Sequence, residues 1–342
     1  MATVLLLNRR NEGVPTALRL AQQEGHIVKL YSSQDHGSCL QGSKNPAFIG
    51  NPKRMAEQYD LVLRTCPLGD RLLNDSDYLA RVIQTILPLP VFDPLETKDA
   101  VRVTVEGWFV KGRWLPFFTL SIDELRMMDG ERGVLTPGMG SGMLTLEEGP
   151  LTEKLLRPFT ELFEKVTYEG PFSLEVYLGE EEAIWLSSIH PSYHYDHLPL
   201  TCELLRESLF TFLYQASLQE EYKPQSSKDV ALGVRLSLHP WPLEVPCDHL
   251  TGRLDLEVPK EARPHVWLQD VAFSDDGEIK TAGCDGCLGF VTARGSDMQE
   301  ARRRVYRTIG NIVKSKDVQY RSDIGSAFND SVVELKRQGW LN

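Results

Sequence analysis

Residues 281–328 read TAGCDGCLGFVTARGSDMQEARRRVYRTIGNIVKSKDVQYRSDIGSAF, and this stretch decides the fold. It opens with a turn punctuated by Gly283, Gly286 and Gly289, which feeds a short apolar strand over 288–292. Ser296 stands three residues before Gln299, the spacing of a capping box, so a helix is expected to start there. Met298, Ala301, Val305, Ile309 and Ile312 then recur at helical spacing and predict one buried face. The helix gives way to Tyr320-Arg321-Ser322-Asp323-Ile324-Gly325.

Working outward, the order V-T-A-x-G, then E-A-x-x-x-x-Y, then Y-R-x-D-I-G resembles the C-terminal domain of the phosphoribosylamine–glycine ligases, a family of ATP-grasp enzymes. The resemblance implies an α/β fold in three parts: a Rossmann-like N-terminal domain (1–93), a truncated ATP-grasp middle domain (94–222) and a small α+β C-terminal domain (223–342). It also implies a substrate-binding role for Arg321 and Asp323. Upstream, residues 230–280 read as the remainder of that C-terminal domain.

Residues 1–92 alternate strand and helix patterns, which implies a parallel sheet. The apolar run 4–7 reads as a buried strand, a helix is expected from Pro15 to Ala21, and strands follow at 27–31 and 59–63. A helix is expected from Asp77 to Ile86, capped by Ser76, and Val91-Phe92 closes the unit. The segment 60–68, DLVLRTCPL, partly resembles the family's D-L-V-V strand and its proline segment, which brings Pro67 into the expected substrate site. The first loop departs from the family. Where its pattern has G-S-G-G-R-E-H, this chain has Asn8-Arg9-Arg10-Asn11-Glu12-Gly13-Val14. Glycines there let backbone N–H groups close on a phosphate; Glu12 opposes one, while Arg9 and Arg10 are candidate side-chain phosphate ligands, with solvated loop arginines as the other reading.

In the middle portion, 101–109 and 114–120 predict a hairpin turning at Lys111-Gly112. Gly138, Met139, Gly140 and Gly142 resemble the family's T-G-G-M-G segment, a flexible loop that approaches substrates; a tight connection is the other reading, since the glycines supply backbone freedom in both. The apolar spacing of 155–166 predicts a helix ended by Gly170-Pro171. A second hairpin is expected over 172–178 and 183–188, then an apolar helix over 204–214 and a polar linker over 219–229.

An ATP-grasp ligase needs carboxylates to hold Mg²⁺ between nucleotide phosphates, because hard cations take oxygen ligands. The family's metal strand reads L-E-F-N; the equivalent run here, 184–194, is IWLSSIHPSYH and carries no carboxylate. Glu175 on the neighbouring strand and Asp196 beyond are the two candidate acids, with the Glu175 side chain expected to face solvent. The lysine-bearing subdomain that clamps adenine is expected to be missing, since only about 95–101 separates the first unit from the hairpin. His190, His194 and His197 form a histidine-rich run that provides imidazole ligands for a transition metal or, with His190, a catalytic candidate.

Composition excludes other classes. A net charge of −11 disfavours nonspecific nucleic-acid binding. The one basic cluster, Arg302-Arg303-Arg304, reads as a solvated helix face. No apolar run approaches the roughly 20 residues of a membrane span, and no leader pattern opens the chain, so a cytoplasmic protein with reduced cysteines is expected. The CxxC at Cys284 and Cys287 has no second pair or histidine to complete a zinc set. Three functional readings follow. The first is a diverged binding or accessory protein of nucleotide or modified-base metabolism, with a nucleotide-type small molecule and a protein partner. The second is an active ATP-dependent carboxylate–amine ligase using ATP and Mg²⁺ through Glu175 and Asp196. The third is a metal-dependent enzyme using the 190–197 histidines. The missing metal carboxylate favours the first.

Overall fold

The computed structural model describes residues 1–50, 59–64, 85–90, 100–192, 196–218, 221–243 and 246–341. Pro67, His194 and the 91–99 connection lie outside these, as do most of the helix expected at 77–86 and most of the short stretch expected to replace the missing subdomain; Thr85 and Ile86 are helical.

The N-terminal unit is the expected parallel sheet. Strands β1 (Thr3–Asn8), β2 (Ile27–Ser32), β3 (Ala47–Phe48) and β4 (Leu61–Arg64) lie in the order β3-β2-β1-β4, every pair parallel. Val4, Leu5 and Leu6 of β1 are all buried, and because successive side chains alternate, the strand is covered on both faces. Helix α1 (Val14–Leu18) has Pro15 in its first turn, where a missing N–H costs no helical hydrogen bond. It runs on through a π-turn, Arg19–Gln23, and buries Leu18 and Ala21 as the spacing predicts.

The second sheet joins what the sequence divides into middle and C-terminal portions. Strand β5 (Val101–Val110) and the long hairpin β6 (Arg113–Met128) and β7 (Arg132–Leu146) continue into β8 (Gly170–Leu178) and β9 (Ile184–His190) on one side. On the other side β7 pairs antiparallel with β10 (Val230–Leu238), so one sheet spans residue 222. A separate antiparallel sheet holds β11 (Asp255–Leu256), β13 (Val271–Phe273) and β14 (Ile279–Thr281), while β12 (Val266–Leu268), β15 (Cys287–Gly295) and β16 (Val318–Gln319) extend the large one. Among the described residues this large sheet has nine strands.

Several expectations are corrected in detail. Gly138, Met139, Gly140 and Gly142 sit within β7, not in a loop. Their glycines serve close packing: a Cβ at Gly140 would stand 2.6 Å from Gly233 O and from Ile324 Cγ2, and one at Gly142 would stand 2.5 Å from the Phe328 ring. The helix expected over 155–166 is broken into α2 (Pro150–Leu155), a 3₁₀ turn at Arg157–Phe159 and α3 (Thr160–Lys165), because Pro158 has no N–H to continue the ladder. Gly170-Pro171 opens β8. The apolar helix expected over 204–214 is two, α4 (His197–Leu204) and α5 (Leu209–Leu218), separated where Leu205 turns extended and bridges Ser226. The described part of the expected linker is packed: Tyr222 is buried and its hydroxyl donates to Glu207.

Helix α6 (Met298–Ile312) buries the five residues its period singled out. Its cap is Asp297, one residue later than expected; Asp297 accepts from Glu300 N–H, while the Glu300 carboxylate reaches back to Ser296. Arg303 and Arg304 are exposed on its outer face, and Arg302 donates to Asp323 O. Helix α7 (Phe328–Arg337) completes the chain's ordered elements and lays Phe328 on β7.

Candidate functional site

Strand alternation places one polar row across the large sheet. Register pairs Thr119 of β6 with Glu106 of β5, Glu106 with Ser173 of β8, and Ser173 with His190 of β9. The next row on the same face runs Ser121, Thr104, Glu175 and Ser188. Helix α4 lays its first turn on this face, so the polar residues are interior: Glu106 is 2% exposed and His197 is 0% exposed. A buried polar group must find a partner or carry a desolvation cost, and here charge meets charge.

Glu175 is correspondingly not the solvent-facing hairpin residue that strand statistics suggest. Arg102 grips it with two donors, Nε to Oε1 at 2.9 Å and Nη2 to Oε2 at 2.7 Å, and Ser187 Oγ donates to Oε1 at 2.6 Å. Burial pushes the Glu175 carboxyl up, but Arg102 more than offsets this and holds it below its ordinary value.

His197 lies between two acids. Its Nε2 is 2.8 Å from Ser121 Oγ and 3.1 Å from Asp123 Oδ1, and its Nδ1 is 3.5 Å from Glu106 Oε2. Asp123 also accepts from Thr104 Oγ1 at 2.8 Å and from Ser141 Oγ. Burial works against the imidazolium, but Asp123 and Glu106 overcome it and raise the group to about 10. Ser121, His197 and Glu106 therefore have the connectivity of a nucleophile, base and orienting acid without the chemistry. Ser121 is wholly buried, and a histidine already protonated at neutral pH cannot accept the serine proton. A metal at His197 would have to displace this proton. His190, whose affinity for protons is lowered by burial, has its Nε2 2.9 Å from Ser188 Oγ. Among the described residues no group of three or more His, Cys, Asp or Glu side chains is disposed to hold a metal ion.

Asp196, the cap residue of α4, faces Arg235 of β10. Arg235 is 1% exposed and wholly engaged: it contacts Asp196 Oδ1, and it donates through Nε to Gly138 O at 2.6 Å and through Nη1 to Cys287 Sγ at 2.8 Å. The rings of Trp241 and Phe290 lie 5.4 and 5.5 Å from its Cζ, so the cation is also enclosed by aromatic faces. Burial raises the Asp196 carboxyl despite Arg235.

The first loop repeats the pattern at the surface. Glu12 takes the backbone N–H groups of Arg9 at 2.5 Å and Arg10 at 2.8 Å. Arg10 is directed away from the loop, to Asp35 O at 3.2 Å and Leu243 O at 2.9 Å, while the Arg9 side chain is exposed.

Arg321 and Asp323 brace the C-terminal loop against the β6–β7 hairpin. Arg321 donates to Glu124 at 2.6 Å, Glu131 at 2.5 Å, Arg126 O at 3.0 Å and both Asp323 oxygens at 2.8 and 2.9 Å. Burial alone would raise Asp323, but Arg321 and the Gly130 N–H hold it down at about 2. Met139 is buried between these elements.

No protein-family model and no curated protein sequence matches the chain. Solved structures do. Phosphoribosylamine–glycine ligase from Thermotoga maritima aligns with a TM-score of 0.63 at 15% identity, over 94% of this chain and 99% of that one. Phosphoribosylglycinamide synthetase from Anaerococcus prevotii gives 0.55 at 9% identity, over 91% and 98%. N5-carboxyaminoimidazole ribonucleotide synthetase from Thermotoga maritima gives 0.51 at 12% identity, over 94% and 100%. The chain has the fold of the ATP-grasp ligases.

That ATP-grasp fold sharpens what the site lacks. On β9, Ser187 and Ser188 are the polar residues of the strand, and Ser187 donates to Glu175. Asp196, the second candidate acid, is buried near His197 and Asp123, but it faces Arg235. Sequence reasoning missed Arg102, Glu106, Asp123 and Arg235. The visible signal was the alternation Arg102, Thr104, Glu106 against Ser121, Asp123 across a predicted hairpin.

Proposed function

We propose that this chain is a non-ligating relative of phosphoribosylamine–glycine ligase that keeps the ATP-grasp scaffold as a binding or accessory protein of nucleotide or modified-base metabolism. The observation that carries this reading is that both candidate acids and His197 are occupied by internal counter-charges. Arg102 holds Glu175, Arg235 holds Asp196, and His197 stands between Glu106 and Asp123. The first loop's N–H groups are taken by Glu12.

The residues present do not fit Mg²⁺ and ATP. A magnesium ion needs free oxygen ligands in near-octahedral order, and each described acid on this face already answers an arginine or an imidazolium. Freeing one would strand a buried cation, a cost of about 3–5 kcal/mol. A site arranged this way is held closed by the same charges that stabilise it.

Titration calorimetry of the chelator-treated chain with ATP, with and without Mg²⁺, tests the reading. The expected result is no binding heat at millimolar ATP in either condition. Mg²⁺-dependent binding that Glu175→Ala or Asp196→Ala removes would overturn it and restore an active carboxylate–amine ligase.

A further inference from the structure

The N-terminal unit meets the C-terminal portion along the loop between β2 and β3. Leu40 N–H donates to Val271 O and Phe273 N–H donates to Gln41 O, each at 2.8 Å, so residues 40–41 run beside β13. Gly42 is seated there at φ +77°, and a Cβ would lie 2.1 Å from Phe273 O. Cys39 and Cys284 pack in one small buried cluster with Ala282 at the head of this contact. Asp270 Oδ1 accepts both the Cys284 N–H at 2.7 Å and the Cys39 thiol at 3.7 Å, so one carboxylate oxygen touches both cysteines. Both cysteines are free.

We propose that Cys39 and Cys284 are a closable thiol pair, joined by a small hydroperoxide into a disulfide that locks the N-terminal unit onto the C-terminal portion. The two S–H bonds break and one S–S bond forms. The sulfurs together give up two electrons and two protons. The hydroperoxide accepts them as its O–O bond breaks, leaving water and an alcohol, or two waters from hydrogen peroxide.

The partners differ in mobility. Asp270 pins the turn that carries Cys284 through the N–H groups of residues 284, 285 and 286. Cys39 lies two residues from the exposed Gly37, so residues 37–39, ahead of the pinned 40–42 contact, are the part that must shift to bring the sulfurs to bonding distance. Enclosure sets the oxidant: both side chains are buried, which admits a peroxide and bars a bulky disulfide reagent. The adjacent Cys284 thiol, burial and the nearby Asp270 and Asp285 keep the Cys39 thiol protonated, so closure is slow and answers sustained oxidation. Asn11 Nδ2 reaches Cys39 Sγ at 3.9 Å, which places the lock directly behind the first loop.

The full reduced chain is treated with millimolar hydrogen peroxide, alkylated and mapped by mass spectrometry. The expected product links the Cys39 and Cys284 peptides, is reversed by dithiothreitol and persists in Cys247→Ser. Its apparent melting temperature rises by about 5 °C, because the bridge closes a very long loop. Cys39→Ser is expected to lose both the link and the rise. Recovery of Cys284 joined to Cys247, or of unlinked sulfinic and sulfonic acids at these positions, overturns the proposal; this map reads the wild-type chain, so it decides even if a variant fails to fold.

Discussion

The first loop and the polar face of the large sheet meet charge in the same way in two different dielectrics. Each occupies polar groups with a counter-charge from the protein itself. At the loop, Glu12 occupies backbone N–H groups at the surface, where solvent screens the exchange. On the sheet, Arg102, His197 and Arg235 neutralise acids in the interior, where an unpaired charge is costly. The difference teaches which change is reversible. The loop holds its anion at the surface, whereas the sheet has built its charge pairs into the core.

The comparison breaks most severely at Arg235. Arg235→Ala is expected to destabilise the fold by about 4 kcal/mol, since it strands Asp196 and empties the space between Trp241 and Phe290. The double change Arg235→Met with Asp196→Leu removes both charges and is expected to recover most of that loss. Denaturant unfolding of the two variants measures the difference. Equal destabilisation would mean that the pair is not what holds the site shut.

A second prediction turns on pH. Imidazole has an ordinary value near 6.5 in the unfolded chain, and the folded chain raises His197 to about 10. The native state therefore binds its proton more tightly, and the resulting stability is fully present below about pH 6.5 and is lost as pH rises towards 10. Wild-type stability is expected to fall by about 3 kcal/mol between pH 7 and 10 beyond the fall in His197→Gln. Parallel pH slopes in the two proteins would refute an imidazolium at this position. A smaller effect belongs to Gly142→Ala, expected to cost about 2 kcal/mol because its Cβ would meet the Phe328 ring at 2.5 Å. Thermal melting checks it, and an unchanged midpoint would show that α7 yields freely.

How much of this was legible follows from where each constraint originates. The buried stripe of α6 is carried by five residues within one helix, so its period is visible locally. The hairpin of β5 and β6 announces itself through two adjacent apolar runs and Lys111-Gly112. The glycines of β7 mislead because their cause is remote: Ile324 and Phe328 press on them from the far end of the chain. The interior network was hidden for a related reason. Glu106, Asp123 and His197 become neighbours only when hairpin register and α4 docking are both known. Burial of Glu175 was misjudged because a sequence shows strand alternation but not which face a later helix will cover.

The mildest perturbation separates the two regions most clearly. In Glu12→Ala, the Arg9 and Arg10 N–H groups lose their carboxylate while the exposed Arg9 side chain remains beside them. Stability should barely change, with a melting shift under about 2 °C, because exposed charges contribute little. Binding is where the change should register. Inorganic phosphate is expected to shift the Arg9 and Arg10 amide resonances at millimolar concentration in the variant and to leave the wild type unmoved, since two N–H donors and a guanidinium suit that anion. Removing Glu175 or Asp196 should yield no corresponding gain of Mg²⁺, because the Arg102 or Arg235 left behind repels a cation. A variant loop that ignores phosphate would mean its backbone has drifted from anion-binding geometry altogether, and the surface exchange would then be as irreversible as the buried one.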